Sequence, residues 1–179
     1  MKFEGSQTEK NLQEAFCGES MARNKYTFYA SKAKKEGYEH IAKIFEDTAE
    51  NEKAHAKIWF KYLNNGEIKD TLLNLQDASK GENYEWSQMY KKFAKIAKEE
   101  GFNDIARHFE LVATVEKHHN TRYDKYLEDL KKDNVFKSQK AVTWECGVCG
   151  FHVFSETAPH ICPLCSHPQA YFYIDEDCE

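Results

Sequence analysis

Apolar side chains recur at three- and four-residue spacing over the first three quarters of the chain, the pattern of amphipathic helices. The spacing is seen twice, at Ile41, Phe45 and Ala49 and again at Ile105, Phe109 and Ala113. Glycine follows three of the periodic segments, where it can end a helix. The pattern predicts four helices, over residues 8–36, 38–63, 81–100 and 102–132.

The last quarter of the chain has a different composition. All three prolines of the 179 residues lie there, at Pro159, Pro163 and Pro168. Because proline breaks the interior of a helix, this asymmetry predicts a helical body and a non-helical tail. We expect one domain over residues 1–136 and another over 141–179, with a linker between about Asp133 and Thr143.

The helical body contains an internal repeat. Residues 33–38 match residues 97–102, and the match continues at one constant offset into 52–55 and 116–119. Each repeat is a pair of helices with a tight internal turn, so a longer connection is needed between the pairs, and residues 65–79 are expected to supply it. This layout predicts a four-helix bundle with one long crossover.

Charge and cysteine placement exclude several classes of protein. The net charge of −5 argues against a nucleic-acid or anionic-membrane partner. Apolar runs are only a few residues long, and the first residues lack the apolar core of a secretion signal, so neither a membrane span nor export is expected. Four of the six cysteines form two Cys-x-x-Cys pairs. Paired local cysteines in such a chain indicate a metal protein of a reducing compartment, the cytoplasm.

Two Glu-x-x-His motifs carry candidate metal chemistry. Glu52 and His55 lie one turn apart on one helix, as do Glu116 and His119. Two such helices, with one further Glu from each remaining helix, are the donor set of carboxylate-bridged diiron bundles. A single motif is a weak signal, since solvated pairs have the same spacing, but two at equivalent places in a repeat favour a diiron site.

The carboxylate ligands expected from the first and third helices are harder to assign. Glu19 lies among small and apolar residues, which is unusual for a purely exposed carboxylate. In the third helix, Glu82 and Glu85 are both candidates, one turn apart. The repeat does not choose between them, because its offset pairs Glu19 with Asn83.

The tail contains a predicted tetrahedral sulfur site. Its ligands are Cys146, Cys149, Cys162 and Cys165, in two knuckles that each present two thiolates. Metal binding would supply the folding free energy that so short a tail lacks. The spacing does not distinguish iron from zinc, and a structural zinc ribbon is the alternative.

Several segments resemble the rubrerythrin family, and the resemblance covers essentially the whole chain. They are residues 18–26, 49–57 and 81–86 of the body and 144–146 and 162–168 of the tail. The resemblance implies a ferritin-like bundle followed by a rubredoxin-like domain with one iron in an Fe(Cys)4 centre. It also implies the diiron ligands: Glu19, Glu52, Glu85, Glu116, His55 and His119, with Glu52 and Glu116 bridging.

Two further residues follow from the resemblance. The family carries an additional Glu one turn after the ligand of the third helix, and the assignment of Glu85 places Gln88 at that position. A neutral amide is a poorer ligand for ferric iron, which would weaken the family's redox-linked shift of one iron away from His55. Tyr26 lies two turns after Glu19 and is a candidate hydrogen-bond donor to a ligand or to peroxide. Core packing is the alternative.

The resemblance implies a peroxidase that reduces hydrogen peroxide to water in oxidative-stress defence. Electrons would enter through the Fe(Cys)4 centre from a rubredoxin or an NAD(P)H-dependent reductase, because the chain has no Gly-rich nucleotide fingerprint of its own. A homodimer or higher oligomer is implied as well. The alternatives are a ferritin-like ferroxidase that handles iron, and an electron carrier.

Overall fold

The structure is a computed structural model that describes residues 2–175, and it divides into two compact units, Met1–Lys69 and Asp70–Glu179. The first contains helices α1 (Gln7–Lys35) and α2 (Glu39–Leu63). The second contains α3 (Thr71–Tyr84), a π-helical turn (Glu85–Met89), α4 (Tyr90–Glu99) and α5 (Asn103–Lys131), followed by strands β1 (Lys137–Cys146), β2 (His152–Thr157) and β3 (Phe172–Ile174), with a 3₁₀ turn (Gln169–Tyr171) before β3.

Helices α1 and α2 form an antiparallel pair. Gly37 at φ 83° allows the tight turn between them. Near this turn Lys34 Nζ lies 2.6 Å from Glu46 Oε1, and at the far end the rings of Phe16 and Phe60 are 5.6 Å apart. The buried side chains of the pair are all alanines, whose small size lets the two backbones approach closely: Ala30, Ala33, Ala42, Ala49 and Ala56.

The second unit repeats this arrangement. The segment from α3 through α4 runs antiparallel to α5, with a glycine turn between α4 and α5 at Gly101, φ 86°. Lys98 pairs with Glu110, and the rings of Phe93 and Phe109 are 5.6 Å apart. The Lys98–Glu110 pair is the counterpart of Lys34–Glu46 at the offset of the sequence repeat. The predicted internal repeat is therefore present in the contacts as well as in the sequence.

Two predicted connections are shorter than expected. The third helix begins at Thr71 rather than near residue 81, because Asp70 caps it and accepts a hydrogen bond from the Leu73 amide at 2.9 Å. The connection between the helix pairs is therefore residues 64–70, not 65–79. Strand β1 begins at Lys137, so the predicted linker is largely strand.

The C-terminal part is a three-stranded antiparallel sheet of order β2-β1-β3. Its core contains Trp144, Cys146, Cys162 and Phe172, each at most 4% exposed. The indole of Trp144 donates to the Ser155 carbonyl at 3.1 Å, which satisfies its buried N–H. The predicted fold class, a helical body with a small strand-containing cysteine domain, is confirmed.

A helix long and apolar enough to cross a membrane does not occur between residues 2 and 175.

Candidate metal centres

The first unit brings two carboxylates and an imidazole together. Helix α1 supplies Glu19, and one turn of α2 supplies Glu52 and His55. His55 Nδ1 lies 3.0 Å from Glu52 Oε2 and 3.8 Å from Glu19 Oε2. The two carboxylates are largely buried, with 28% and 17% of their side chains exposed. The predicted Glu-x-x-His spacing thus places three donor atoms around one point, as metal binding requires.

The second unit contains an equivalent group. Here α3 supplies Glu82, and α5 supplies Glu116 and His119. His119 Nδ1 lies 2.7 Å from Glu116 Oε2 and 3.4 Å from Glu82 Oε2. All three side chains are partly buried. Each unit therefore presents the same donor set of two carboxylate groups and one imidazole nitrogen.

The electrostatics of both groups favour a cation. A hydrogen bond with Glu52 raises the pKa of Glu19, and the same bond lowers the pKa of Glu52. Burial, followed by a hydrogen bond with Glu116, raises the pKa of Glu82. In each unit the two carboxylates repel one another unless a proton lies between them, and a metal ion takes the place of that proton.

The surroundings of one buried carboxylate oxygen indicate whether iron fits these residues. Within residues 2–175, Glu82 Oε2 is buried and accepts no hydrogen bond, although His119 Nδ1 lies at the ion-pair distance of 3.4 Å. Burying such an acceptor without a partner costs free energy, and a bound cation removes that cost. Carboxylate oxygens with imidazole nitrogens suit iron in both of its common oxidation states. The donor sets therefore fit an iron site.

The group around His119 contains Glu82 and not Glu85, the ligand expected for the third helix, and the assignment of Glu85 stays a prediction. Glu85 lies in the π-helical turn and is not part of the group around His119. Gln88 is exposed, also within the π turn. The residue one turn after the group member Glu82 is Glu85, so with Glu82 as the ligand the position that was expected at Gln88 is held by a glutamate.

The π turn explains why the repeat could not choose between Glu82 and Glu85. Glu19 lies seven residues before Tyr26, whereas Glu82 lies eight residues before the equivalent Tyr90. A π turn inserts one residue into a helix, so eight residues cover the rotation that seven cover in α1. Glu19 and Glu82 are therefore structural equivalents although the sequence offset pairs Glu19 with Asn83.

The two repeated tyrosines have different surroundings. Tyr26 stacks on Phe45 with ring centroids 6.2 Å apart, and its role as a hydrogen-bond donor stays a prediction. Burial raises the pKa of Tyr90, with further contributions from the carboxylates of Glu85, Glu116 and Glu82. Tyr90 therefore keeps its proton and lies in the field of the second group. Tyr90 was not predicted from the sequence, although its match to Tyr26 in the repeat was the signal for it.

A buried asparagine beside the second group was also missed. Asn120 is 7% exposed, and its side-chain oxygen accepts from Asn83 Nδ2 at 3.2 Å and from Trp86 Nε1 at 3.1 Å. Its nitrogen donates to Ser79 and to Asp124. Each of these hydrogen bonds joins α5 to the segment that begins with α3, except the bond to Asp124, which lies one turn further along α5 itself. The network fixes α3 against α5 directly behind the donor group.

We expect Asn120→Ala to destabilise the second unit by about 1–3 kcal/mol, because several buried partners lose their hydrogen bonds at once. Thermal unfolding followed by circular dichroism measures the loss. The matched control is Asn51→Ala, an exposed asparagine of α2 whose replacement is expected to change stability by less than about 0.5 kcal/mol. Equal melting curves for the two variants would contradict a structural role for the network.

The four predicted cysteines meet at one point. Cys146 Sγ lies 3.7 Å from Cys165 Sγ, and Cys149 Sγ lies 3.7 Å from Cys162 Sγ. Tetrahedral bonds of ~2.3 Å to sulfur give an edge of ~3.8 Å, so these separations fit a four-thiolate metal ion.

The knuckle backbone favours the thiolate form of one cysteine in each pair, Cys146 and Cys162, whereas the pKa of Cys165 is raised and burial raises the pKa of Cys149 to about 12. The Gly150 amide donates to the Cys146 carbonyl at 2.8 Å, and the Ser166 amide donates to the Cys162 carbonyl at 2.9 Å. Although burial opposes it, hydrogen bonds from the backbone at Cys165 and Leu164 lower the pKa of Cys162 to about 7. Since the thiolate is the ligand, this cysteine is prepared for metal near neutral pH.

Comparison with known proteins places these groups in context. The family model described as rubrerythrin matches residues 10–127, and the model of the rubrerythrin rubredoxin-like domain matches residues 144–173. Rubrerythrin-1 of Clostridium acetobutylicum is 46% identical, with 96% of each chain covered. Rubrerythrin of Porphyromonas gingivalis is 47% identical over 95% of this chain and 90% of its own. A structure of fully reduced, all-ferrous nigerythrin is 31% identical over 97% of this chain and 89% of its own, with a TM-score of 0.35.

Proposed function

Because the chain belongs to the rubrerythrin family, we propose that it is a peroxidase that reduces hydrogen peroxide to two waters. The family combines a diiron carboxylate site with a four-cysteine rubredoxin-like site, and both donor sets are present in this chain. The observation that carries the proposal is the pair of equivalent groups, each with two carboxylates and one imidazole. Together they contain the four carboxylates and two imidazoles of a diiron site.

We assign Glu19, Glu52, His55, Glu82, Glu116 and His119 as the iron ligands of this proposal. Two ferrous ions bound there would supply the two electrons that the reaction H2O2 + 2 e⁻ + 2 H⁺ → 2 H2O requires. The carboxylates offset the positive charge of the metal, and the helices hold their donor atoms in place before metal binds. Burial keeps the proton on Tyr90 in the field of the second group, so its hydroxyl would be available to donate a hydrogen bond to peroxide.

Electron entry through the four-cysteine centre is the second part of the proposal. Iron bound by four thiolates carries one electron at a time, and an appended redox centre serves no purpose in iron storage. We propose an external rubredoxin or an NAD(P)H-dependent reductase as the donor. The cytoplasm, where paired thiols stay reduced, is the proposed location. The division into a diiron domain of residues 1–136 and a cysteine domain of 141–179 is also kept as a proposal.

Self-association is proposed as well. Large apolar side chains remain exposed on the helices of both units, for example Phe28 at 67% and Leu111 at 51%. Exposed apolar surface of this kind is typical of interfaces between protein molecules. A homodimer would cover it, and light scattering of the purified protein measures the number of chains directly.

A stoichiometric titration tests the peroxidase proposal. Chemically reduced, iron-loaded protein is mixed anaerobically with hydrogen peroxide, and oxidation of the iron is followed by absorbance. We expect one peroxide to oxidise the two irons of the carboxylate sites, with fast turnover when a reductase is added. If the protein instead retains iron added as Fe(II) with oxygen and turns over peroxide no faster than free iron, it is a ferroxidase. If neither reaction occurs, it is an electron carrier.

A further inference from the structure

The outer face of the β-sheet gathers three metal-type donors from three different strand segments. Glu145 of β1 is the direct antiparallel partner of His152 in β2 and of Tyr173 in β3. Directly paired residues share one face of a sheet, and so do residues two apart along a strand. Asp175 follows Tyr173 by two residues, and its amide bonds to the Thr143 carbonyl at 2.9 Å, which extends the ladder past β3. Glu145, His152 and Asp175 therefore lie on one face.

This face is separate from the four-cysteine site. Trp144 and Cys146, the neighbours of Glu145 in β1, are both 0% exposed and belong to the core on the opposite face. Successive side chains of a strand point to opposite sides. The three donors thus form a group outside the core, on the same strand as one of the cysteine ligands.

The distances within the group lie close to those of metal coordination. His152 Nε2 lies 3.2 Å from Asp175 Oδ2 and 3.7 Å from Glu145 Oε2, and the three donor atoms lie within 4.8 Å of one another. Bonds of ~2.0–2.2 Å to nitrogen and oxygen place tetrahedral ligand atoms ~3.3–3.6 Å apart. The His152–Glu145 contact of 3.7 Å is longer than a hydrogen bond, whereas the His152–Asp175 contact of 3.2 Å also fits a direct imidazole–carboxylate pair, which the experiment below distinguishes from a metal site.

Burial and charge favour a cation at that point. The Asp175 side chain is only 11% exposed, that of Glu145 is 25% exposed, and His152 is open to solvent at 46%. The group contains two carboxylates to one imidazole, an acidic donor set that suits a divalent cation. The exposed imidazole leaves a path by which the ion can enter and sites for water to complete its coordination.

We propose that Glu145, His152 and Asp175 bind a divalent first-row transition-metal ion on the outer face of the sheet. A donor set of one imidazole and two carboxylates suits zinc, manganese or ferrous iron. This site is additional to the carboxylate groups of the helices and to the four cysteines. It stands on the geometry of the sheet and does not depend on the peroxidase proposal.

The site has a consequence for the neighbouring cysteine centre. Glu145 and Cys146 are adjacent in β1, so their Cα atoms are ~3.8 Å apart. Reduction adds one negative charge to an iron bound by four thiolates. A dication held by Glu145 stabilises that added charge and raises the reduction potential of the centre. Metal availability would then tune electron entry, and this consequence alone rests on the electron route proposed above.

Zinc binding to the iron-loaded protein tests the proposal, with zinc chosen because it has no redox chemistry of its own. Equilibrium dialysis is expected to give one zinc per chain in addition to the iron, with the iron content unchanged. Zinc should also raise the reduction potential of the four-cysteine centre. In His152→Ala, zinc affinity is expected to fall roughly 10–100-fold or more and the potential to become insensitive to zinc.

The matched control is His160→Ala, which removes an exposed histidine of the same domain outside the group. Its zinc affinity, and the shift of its reduction potential when zinc binds, should equal those of the unmodified protein. The visible band of the iron–thiolate centre reports whether each variant folds. If His152→Ala loses that band, zinc binding is measured in Asp175→Asn instead, with the same loss of affinity expected. The proposal is overturned if no zinc binds beyond the iron, or if the folded variant binds zinc as the parent does. The group would then be an ion pair only.

Discussion

Replacement of Glu82 by alanine is expected to remove iron from the carboxylate sites and to lower peroxidase kcat/KM by at least about 100-fold. The loss of a residue that only orients a metal ligand already costs roughly 10–100-fold in metal affinity, so the loss of a ligand itself should cost at least as much. Glu82 is the group member from α3, and its Oε2 is the buried oxygen without a hydrogen-bond partner. Without it, Glu116 and His119 are left with too few donors for iron. Iron content by atomic emission and steady-state peroxide consumption measure the two effects.

Glu85→Gln is the matched variant, one turn away in the same helix. Because Glu85 is not part of the group around His119, this variant is expected to retain its iron. Its turnover is expected to change by a smaller factor than that of Glu82→Ala, through the influence of Glu85 on Tyr90. The reverse result, with iron lost from Glu85→Gln and kept in Glu82→Ala, would restore Glu85 as the ligand of the third helix.

Zinc in place of iron at the four cysteines is expected to reduce reductase-driven turnover to below about 1% of the iron form, because zinc has no accessible second oxidation state. Substitution of the metal keeps the full chain and the packing around Trp144 and Cys146, which truncation of the tail would not. The zinc form is prepared with iron retained in the carboxylate sites and compared with the all-iron form in the same assay. Loss of the red iron–thiolate colour verifies the exchange.

A single-turnover experiment is the internal control for the zinc form. Protein reduced chemically in advance already holds the electrons at the carboxylate sites, so one addition of peroxide should oxidise it at the rate of the all-iron form. If the zinc form turns over at full rate with the reductase, electrons enter elsewhere and the four-cysteine centre is structural. If single turnover is also lost, zinc has displaced iron from the helices, and the iron analysis will show it.

Local pattern in the sequence determined the helices and most of the donors. Apolar periodicity fixed four helical segments, since a helix repeats its buried face every three to four residues. Fixed spacing within one helix also gave Glu52 with His55 and Glu116 with His119, because residues three apart lie on one face whatever the tertiary structure. The four cysteines were readable for the same reason, as each Cys-x-x-Cys knuckle is a local turn.

The tertiary structure decided which residues from different segments come into contact, because those contacts depend on how the segments align. The π turn at Glu85–Met89 shifts the helix by one residue, so Glu82 rather than Asn83 or Glu85 faces His119. A repeat compared at one constant offset cannot represent such an insertion. The single residue that the π turn adds leaves no motif in the sequence. Likewise, Glu145, His152 and Asp175 lie in three separate segments of the chain and meet only through the antiparallel pairing of β1 with β2 and β3. Contacts within one turn follow from sequence spacing, whereas contacts between segments follow from how the segments align.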